Sequence, residues 1–222
     1  MDPRIPTRFD GPIVDVPIPV DAASDAPIDA RVIVPVSGTG CTPAAPVTTF
    51  PGGVACADWM GTLTIDRATV TESGGALSIS PSAGAAGAFG QCGRAIVFDA
   101  PGVFVEISDV VDGVSTFTSV GLSAFGPIVY SMSVRNDILV FQHTLGTITT
   151  IPYDPVAMRW WRMRPITGGV LYETAPEASA WTVRATSSVP SSEMTDVQLF
   201  GGVGAAEPAP GTARFETVNV CP

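Results

Sequence analysis

The feature that most constrains the fold of this chain is a succession of short alternating segments interrupted by turn residues. From Cys41 onward, apolar and polar residues alternate over stretches of about four to eight residues, each ended by Gly, Pro, Asp or Ser. The turns recur about every 8 to 12 residues, which is typical of a sandwich or barrel rather than of βαβ units. No segment predicts a helix of about ten residues. We therefore predict an all-β domain.

The predicted strands lie between these turns. In chain order they are Val47–Phe50, Trp59–Ile65, Ala76–Ser80, Ala95–Asp99, Val103–Val111, Ser115–Ala124, Ile128–Val134, Ile138–Gln142, Thr147–Pro152, Trp160–Arg164, Val170–Thr174, Trp181–Ala185, Val197–Phe200 and Ala213–Val220. No self-similarity at about 40 residues indicates propeller blades, so we expect one domain rather than a repeat array.

The stretch RWWRMRPITGGVLYETAPEASAWTVRA predicts how three neighbouring strands present their faces. Side chains alternate along a strand, so Trp161 and Met163 share one face while Trp160, Arg162 and Arg164 share the other. The inward-facing residues of the next two strands are predicted to be Val170, Tyr172, Thr174, Trp181 and Val183. The outward-facing residues are predicted to be Leu171, Glu173, Thr182 and Arg184. The outward charges would form a cross-strand ladder, worth about 0.2 to 1 kcal/mol per pair.

Several motifs in the second half of the chain resemble the C-terminal half of the concanavalin A-like lectin and glucanase superfamily. They are YDPVAMRWWRMR, GGVLYETAPEASAWTV, VQLFGGVGA and PGTARFETVNV. The segments FPGGVACADW and ALSISPSAG are similar to the first strands of LamG-like members from bacterial surface proteins. The likeness spans about Val47 to Val220. In its middle part, Val103 to Ile151, only the spacing of the predicted strands matches the family.

This resemblance implies a concanavalin A-like jelly roll, in which two antiparallel sheets pack as a sandwich and the termini lie side by side. The chain departs from the family pattern in one hairpin. The usual Ser and Asp-Gly are replaced there by Ala175, Pro176, Ala178 and Ser179. The turn geometry and any ligand contact made at this hairpin therefore stay open.

The cysteines indicate disulfides rather than metal. Cys41, Cys56, Cys92 and Cys221 contain no CxxC pair, and His143 is the single histidine, so we predict no metal site. Four cysteines allow three pairings, and the sequence does not choose among them. We favour Cys41–Cys221, which would tie the ends of the domain together, with Cys56–Cys92 as a local staple. Four buried free thiols are the alternative, whereas disulfides would place the chain in an oxidising compartment.

The first part of the chain differs in composition from the rest. Residues 1–40 are rich in Pro, Ala, Asp and Ser without a sustained period, so we predict a disordered linker or tether before a domain at 41–222. A strand over Arg31–Val36 is the alternative. The segment resembles the spacer of bacterial surface lipoproteins, although it has no lipobox cysteine. We expect an extracellular or cell-surface protein whose leader or lipid anchor is missing from this sequence.

The charge and hydropathy of the chain exclude several classes of partner. The net charge is −10, and its basic residues are all arginine, so the basic surface that nucleic-acid binding requires is missing. Adhesion to anionic lipid needs clustered Lys and Arg as well. No window holds the roughly 18 apolar residues of a spanning helix. We predict a monomer with no cofactor, no nucleic-acid partner and no transmembrane segment.

No catalytic motif stands out. The nearest match to the paired carboxylates of retaining glycosidases is VFVEISDVVD, where Glu106 and Asp109 are three apart and so point to opposite faces, while Asp112 precedes a turn glycine. The stretch GLSAFG misses the nucleophile elbow, and His143 would be the only base. The D-x-D-x-D-G calcium pattern is also missing, but calcium stays open because related modules bind it with loop carboxylates and carbonyls. We assign no catalytic residue.

The function predicted from the sequence is a non-catalytic, lectin-like module that recognises carbohydrate or another cell-surface ligand. Sugar binding needs an aromatic face and a few fixed polar groups. Our candidate residues are Trp160, Arg162, Glu173, Arg135, Gln142 and Glu106. In the competing interpretation, Trp160 simply shields the sheet and the arginines set its register. The alternative functions are a glycoside hydrolase with an unrecognised carboxylate pair and a purely structural or adhesive domain.

Overall fold

The computed structural model describes residues 48–57, 61–98, 101–124, 128–144, 146–188 and 194–219. The described residues form fourteen β-strands and no helix. The strands are β1 Thr62–Asp66, β2 Ala68–Ser73, β3 Ala76–Pro81, β4 Phe89–Ala95, β5 Val103–Asp109, β6 Thr116–Ser123, β7 Ile128–Arg135, β8 Ile138–His143, β9 Gly146–Pro152, β10 Trp160–Ile166, β11 Gly169–Ala175, β12 Thr182–Ser187, β13 Asp196–Val203 and β14 Ala213–Val218. Within these ranges, no helix is long and apolar enough to cross a membrane.

The strands form two seven-stranded antiparallel sheets. The front sheet has the order β1-β4-β13-β6-β7-β8-β9, and the back sheet has the order β12-β11-β10-β5-β14-β3-β2. Strands that follow one another along the chain often lie in different sheets, as in a jelly roll. The predicted two-sheet antiparallel sandwich is confirmed. Thr48 pairs with Val218, so the first and last described segments lie side by side.

The core lies between the sheets and is made of alternate residues of each strand. Trp161 is 1% exposed, and its indole Nε1 donates to the carbonyl oxygen of Met158 at 2.9 Å. The hydroxyl of Tyr172 donates to the backbone carbonyl of Gln142 at 2.6 Å, which links the two sheets. Burial raises the pKa of the Tyr172 hydroxyl far above its usual value, so this group stays a neutral donor. The predicted inward faces of β10 and β11 are thus confirmed.

A disulfide joins Cys56 to Cys92 on β4, as predicted. The backbone N–H of Cys56 donates to the Glu72 side chain at 2.6 Å, so β2 also holds this segment. Cys41, Cys221 and the predicted linker 1–40 lie outside the described residues, and so does the predicted domain boundary.

Three strand predictions were wrong, and among the described residues of the predicted strand Val47–Phe50 only Thr48 forms an isolated bridge. The strand β2, Ala68–Ser73, was missed because it is polar and mostly exposed, so no apolar alternation marks it. The strand β4 was predicted too far along the chain, at Ala95–Asp99, because the glycines within Phe89–Ala95 indicate a turn. Gly90 pairs with Gly201 on β13, and a Cβ at Gly90 would clash with Ile79 of the opposite sheet. Here glycine marks close approach of the two sheets rather than a turn.

The inward orientation predicted for Trp181 and Val183 was also wrong. A register shift between β11 and β12 pairs Tyr172 with Ala185 but Glu173 with Val183. Such a bulge moves the residues on one side of it to the other face of the sheet. Ala185 therefore enters the core, whereas the side chain of Val183 is 41% exposed.

Candidate ligand-binding groove

The structure divides the six predicted ligand-binding residues between the two outer faces of the sandwich. Trp160, Arg162, Glu173 and Glu106 lie on the outer face of the back sheet, on β10, β11 and β5. The other two, Arg135 and Gln142, line a groove on the outer face of the front sheet. The predicted residues therefore form two separate groups with the core between them.

Trp160 belongs to a small second core on the back sheet rather than to an open platform. It is 6% exposed and packs with Phe104, Ala175 and Ala178, and Trp181 covers part of this cluster. The rings of Phe104 and Trp160 have centroids 6.3 Å apart, and those of Phe104 and Trp181 are 6.1 Å apart. The loop between β11 and β12 supplies Ala178 and Trp181, and so it closes over the indole. The packing therefore favours the competing interpretation, in which Trp160 shields the sheet rather than contacting a ligand.

The charges beside this cluster satisfy one another. Glu173 accepts a hydrogen bond from Arg162 Nε at 2.6 Å and pairs with Arg164 Nη2 at 3.3 Å. The guanidinium of Arg162 also lies 4.1 Å from the ring centroid of Trp181. The predicted ladder thus holds for these three charges, while Arg184 instead donates to Thr174 at 2.8 Å. In this ladder the Glu173 carboxylate is held by two arginines, which makes it a packed charge network.

Glu106 is engaged in the same way, since its carboxylate accepts from Arg159 Nε at 2.7 Å. The nearby Asp109 pairs with Arg214 across a register shift between β5 and β14, so its spacing from Glu106 does not decide its face, and burial raises the pKa of its carboxyl. Asp112 lines a second cavity of about 300 Å³ together with Asp137. No group of three or more His, Cys, Asp or Glu side chains within the described ranges is placed to hold a metal ion.

The groove on the front sheet has a volume of about 450 Å³ and is built from β6, β7, β8, β13 and the start of β9. Its described lining combines aromatic rings, hydroxyls, an amide and two basic groups. These residues are Phe117, Ser119, Val129, Ser131, Ser133, Arg135, Gln142, His143, Thr144, Gly146 and Phe200. A volume of several hundred cubic ångströms suits a small-molecule or oligosaccharide segment.

Serines form the floor of this groove. Ser119 pairs with Ser133 across β6 and β7, and Ser131 pairs with Gln142 across β7 and β8. All three serines are buried, yet their side chains make no hydrogen bond to another described residue. None of the three hydroxyl oxygens is both fully enclosed by protein and without a hydrogen-bond partner. The hydroxyls therefore open into the groove, where an incoming ligand can bond to them.

Two phenylalanines stand beside this floor. Phe200 on β13 pairs with Ser119, and Phe117 on β6 pairs with Gly202. Gly202 leaves the space that the Phe117 ring occupies, because a Cβ at that position would overlap the ring. Both rings are half-buried, so each keeps a face toward the groove or solvent. Partly exposed aromatic faces can pack against the C–H groups of a sugar.

Arg135 places a cation at one end of the groove. It ends β7 immediately before the Asn136–Asp137 turn, in which both residues have positive φ. The side chain is exposed and has no ion-pair partner among the described residues. Its neighbour Asp137 lines the second cavity instead, and none of the described lining residues of the groove is acidic. The groove therefore presents donors and a positive charge on a chain whose net charge is −10.

Sequence reasoning found Arg135 and Gln142 but missed Phe117, Phe200 and the serines. A signal exists in TFTSVGLS and IVYSMSVR, where serine and other polar residues alternate with buried apolar ones. Outward serines are common on solvated sheets, however, so the pattern alone does not distinguish a groove from a plain surface.

Comparisons with known proteins agree with the fold. The sequence matches no protein-family model and none of the curated proteins. The structure is similar to that of SCLam, described as a non-specific endo-β-1,3(4)-glucanase from family GH16, with a TM-score of 0.52, 9% identity, and 81% of this chain and 94% of that chain covered. It also matches the CBM2 module of Lactobacillus casei BL23 phage J-1 evolved Dit, with a TM-score of 0.48, 12% identity, and coverage of 82% and 89%. The likeness to SCLam supports the jelly-roll, concanavalin A-like fold.

Proposed function

We propose that the chain is a non-catalytic, lectin-like module that binds carbohydrate in the front-sheet groove. The observation that carries the proposal is a floor of serine hydroxyls without side-chain partners, flanked by the half-exposed rings of Phe117 and Phe200. Hydroxyl and amide groups bond to sugar hydroxyls, while aromatic faces contact the sugar ring. The proposal keeps Arg135 and Gln142 as ligand contacts and transfers the aromatic contact from Trp160 to the two phenylalanines.

The groove is proposed as the site because its polar groups differ from those of the back sheet in one respect. On the back sheet, Arg162, Arg164 and Glu173 bond to each other, so a ligand that used the Glu173 carboxylate or the donors that hold it would have to break those bonds. In the groove, a ligand that bonds to the floor hydroxyls has to displace only water. Replacing ordered water with well-placed ligand groups costs less than breaking a buried ion pair.

We further propose that the module belongs to an exported or surface-anchored bacterial protein. The disulfide between Cys56 and Cys92 supports this location, because such bonds persist in oxidising compartments. Non-reducing mass spectrometry of protein from its native host would test the point. A mass lower by two hydrogen atoms than that of the dithiol is expected for this pair, and free thiols at both positions would count against export.

Nothing in the groove favours the hydrolase alternative. Glycoside hydrolysis requires two carboxyl groups about 5 to 9.5 Å apart across the scissile bond. The described lining residues include no Asp or Glu. A reducing-end assay on any oligosaccharide that binds would detect product release if catalysis occurred.

Paired variants on the two outer faces test the proposed site. Phe200→Ala removes an aromatic ring from the groove, and Trp181→Ala removes one from the back sheet as the matched control. We expect glycan-array signals and calorimetric affinities to be lost, by about tenfold or more, with Phe200→Ala in folded protein. Trp181→Ala is expected to leave them unchanged. The reverse result would place the ligand on the back sheet, and binding to no glycan would favour a structural or adhesive domain.

A further inference from the structure

The groove differs from the rest of this acidic chain in the sign of its charge. The sequence has 21 acidic and 11 basic residues, so a surface region of average composition would carry more carboxylates than guanidinium groups. Among the described lining residues, Arg135 and His143 are ionisable and none is acidic. The nearest turn acid, Asp137, faces the second cavity. The groove is thus locally cationic on an anionic protein.

Arg135 also differs from five of the six other arginines whose contacts the structure gives, the sixth being Arg184, which donates to Thr174. Arg67, Arg159, Arg162, Arg164 and Arg214 each pair with a carboxylate of the protein. The guanidinium of Arg135 has no such partner among the described residues, and it points to a groove rather than to a flat surface. Its donors therefore remain available for an anionic group of a ligand, which a planar guanidinium can bind through two parallel hydrogen bonds.

The remaining polar groups of the groove can donate hydrogen bonds to the same kind of ligand. Ser131 and Ser133 present hydroxyls from β7, the strand that ends in Arg135, and the Gln142 amide pairs across from Ser131. The hydroxyls can donate as well as accept, and no carboxylate of the described lining competes for them. A negatively charged sugar substituent at the Arg135 end would meet donors on the floor and a cation at the rim.

Resting on the proposed carbohydrate function, we infer that the groove selects acidic saccharides, in which a carboxylate or sulfate group on the sugar pairs with Arg135. Selection arises because the charged group forms a charge-assisted hydrogen bond that the neutral sugar does not form. The net charge of −10 opposes the approach of an anion, but this repulsion is screened beyond about 8 Å at physiological ionic strength. The local pair at the rim therefore decides the preference.

Matched ligands test the inference by calorimetry. Oligogalacturonate and its fully methyl-esterified form share one backbone and differ in charge, as do a sulfated galactan oligosaccharide and its desulfated form. We expect the acidic member of at least one pair to bind about tenfold more tightly, which is the effect of one charge-assisted hydrogen bond. The first pair responds if the anion is a uronate, and the second pair responds if it is a sulfate ester.

Variants at Arg135 assign the preference to that residue. Arg135→Gln is expected to remove the difference between acidic and neutral ligands, while Arg135→Lys keeps most of it. Arg67→Gln, at the opposite edge of the front sheet, is the control and is expected to leave it unchanged. Equal affinity for both members of each pair, or a preference that survives in Arg135→Gln, overturns the inference. If neutral sugars bind in a manner that needs Phe200, the proposed function still holds; if no saccharide binds at all, both fail.

Discussion

The two outer faces of the sandwich differ in where their polar and aromatic groups find partners. On the back sheet, Trp160 is covered by a loop and Glu173 is held by two arginines. On the front sheet, Ser119 and Ser133 line an open groove and bond to no other described side chain. A face whose groups are mutually satisfied contributes to stability, whereas a face with available donors can bind a ligand. Variants of the two faces should therefore change different measurements.

The largest expected effect is the loss of stability in Trp160→Ala. The indole fills the second core against Phe104, so its removal leaves a cavity beneath the loop between β11 and β12. We expect the free energy of unfolding, measured by urea denaturation, to fall by about 3 kcal/mol. The matched variant Phe200→Ala removes a half-buried ring from the front face and should cost about 1 kcal/mol or less. Equal losses for the two variants would contradict the comparison.

This difference between the faces also shows which parts of the molecule the sequence predicts. The alternation along β10 and β11 correctly placed Trp161 and Tyr172 in the core and Arg162 beside Glu173, because side-chain orientation on a regular strand follows from parity alone. Parity fails for Trp181 and Val183, since a loop precedes β12 and a bulge interrupts it, and neither has a clear signature.

The groove was harder to predict because its strands are distant along the chain. Ser119 on β6 meets Phe200 on β13 only through the jelly-roll topology, which places those strands side by side. The serines themselves carry no hydrophobic signal. In the sequence Gly202 resembles a loop residue, whereas in the structure it leaves space for the ring of Phe117. Local patterns therefore predicted the strands and their faces, whereas the site depends on non-local pairing.

A smaller loss of stability is expected in Glu173→Gln. The carboxylate is buried and binds Arg162 and Arg164, so the variant leaves both guanidinium groups without their anion. Because those arginines are partly exposed, we expect a loss of about 2 kcal/mol rather than the full cost of breaking a buried pair. Arg135→Gln on the front face removes a charge with no partner and should change stability by less than about 0.5 kcal/mol.

The two variants are compared by urea denaturation and by binding in parallel. Glu173→Gln should lower stability and leave the ligand affinity of the folded protein unchanged. Arg135→Gln should leave stability nearly unchanged and weaken the binding of acidic ligands. If Glu173→Gln weakens binding in protein that remains folded, the back sheet takes part in recognition and the division between the faces is wrong.

The smallest expected effect is the contribution of Glu216, on β14 of the back sheet, to the pH dependence of stability. Glu216 Oε1 accepts hydrogen bonds from Ser108 at 2.5 Å and from Arg214 at 2.8 Å. Burial raises the pKa of the Glu216 carboxyl, but these bonds outweigh it and the net pKa is lowered. A lowered pKa in the folded state gives stability that is present above the unfolded value of about 4.3 and lost as the pH falls through the folded value.

Glu216→Gln should therefore flatten the acid side of the stability profile below about pH 5. Because the Arg214 side chain is 41% exposed, solvent screens the pair, and we expect a difference of about 0.5 kcal/mol from the original protein across this range. Thermal unfolding measured at several pH values detects it, with Arg135→Gln as the control whose profile should match that of the original protein. A Glu216→Gln profile parallel to that of the original protein would show that this ion pair has no part in the acid response. The stabilising charges of the back face would then reduce to the Arg159–Glu106 pair and to the ladder in which Glu173 binds Arg162 and Arg164 of the neighbouring strand.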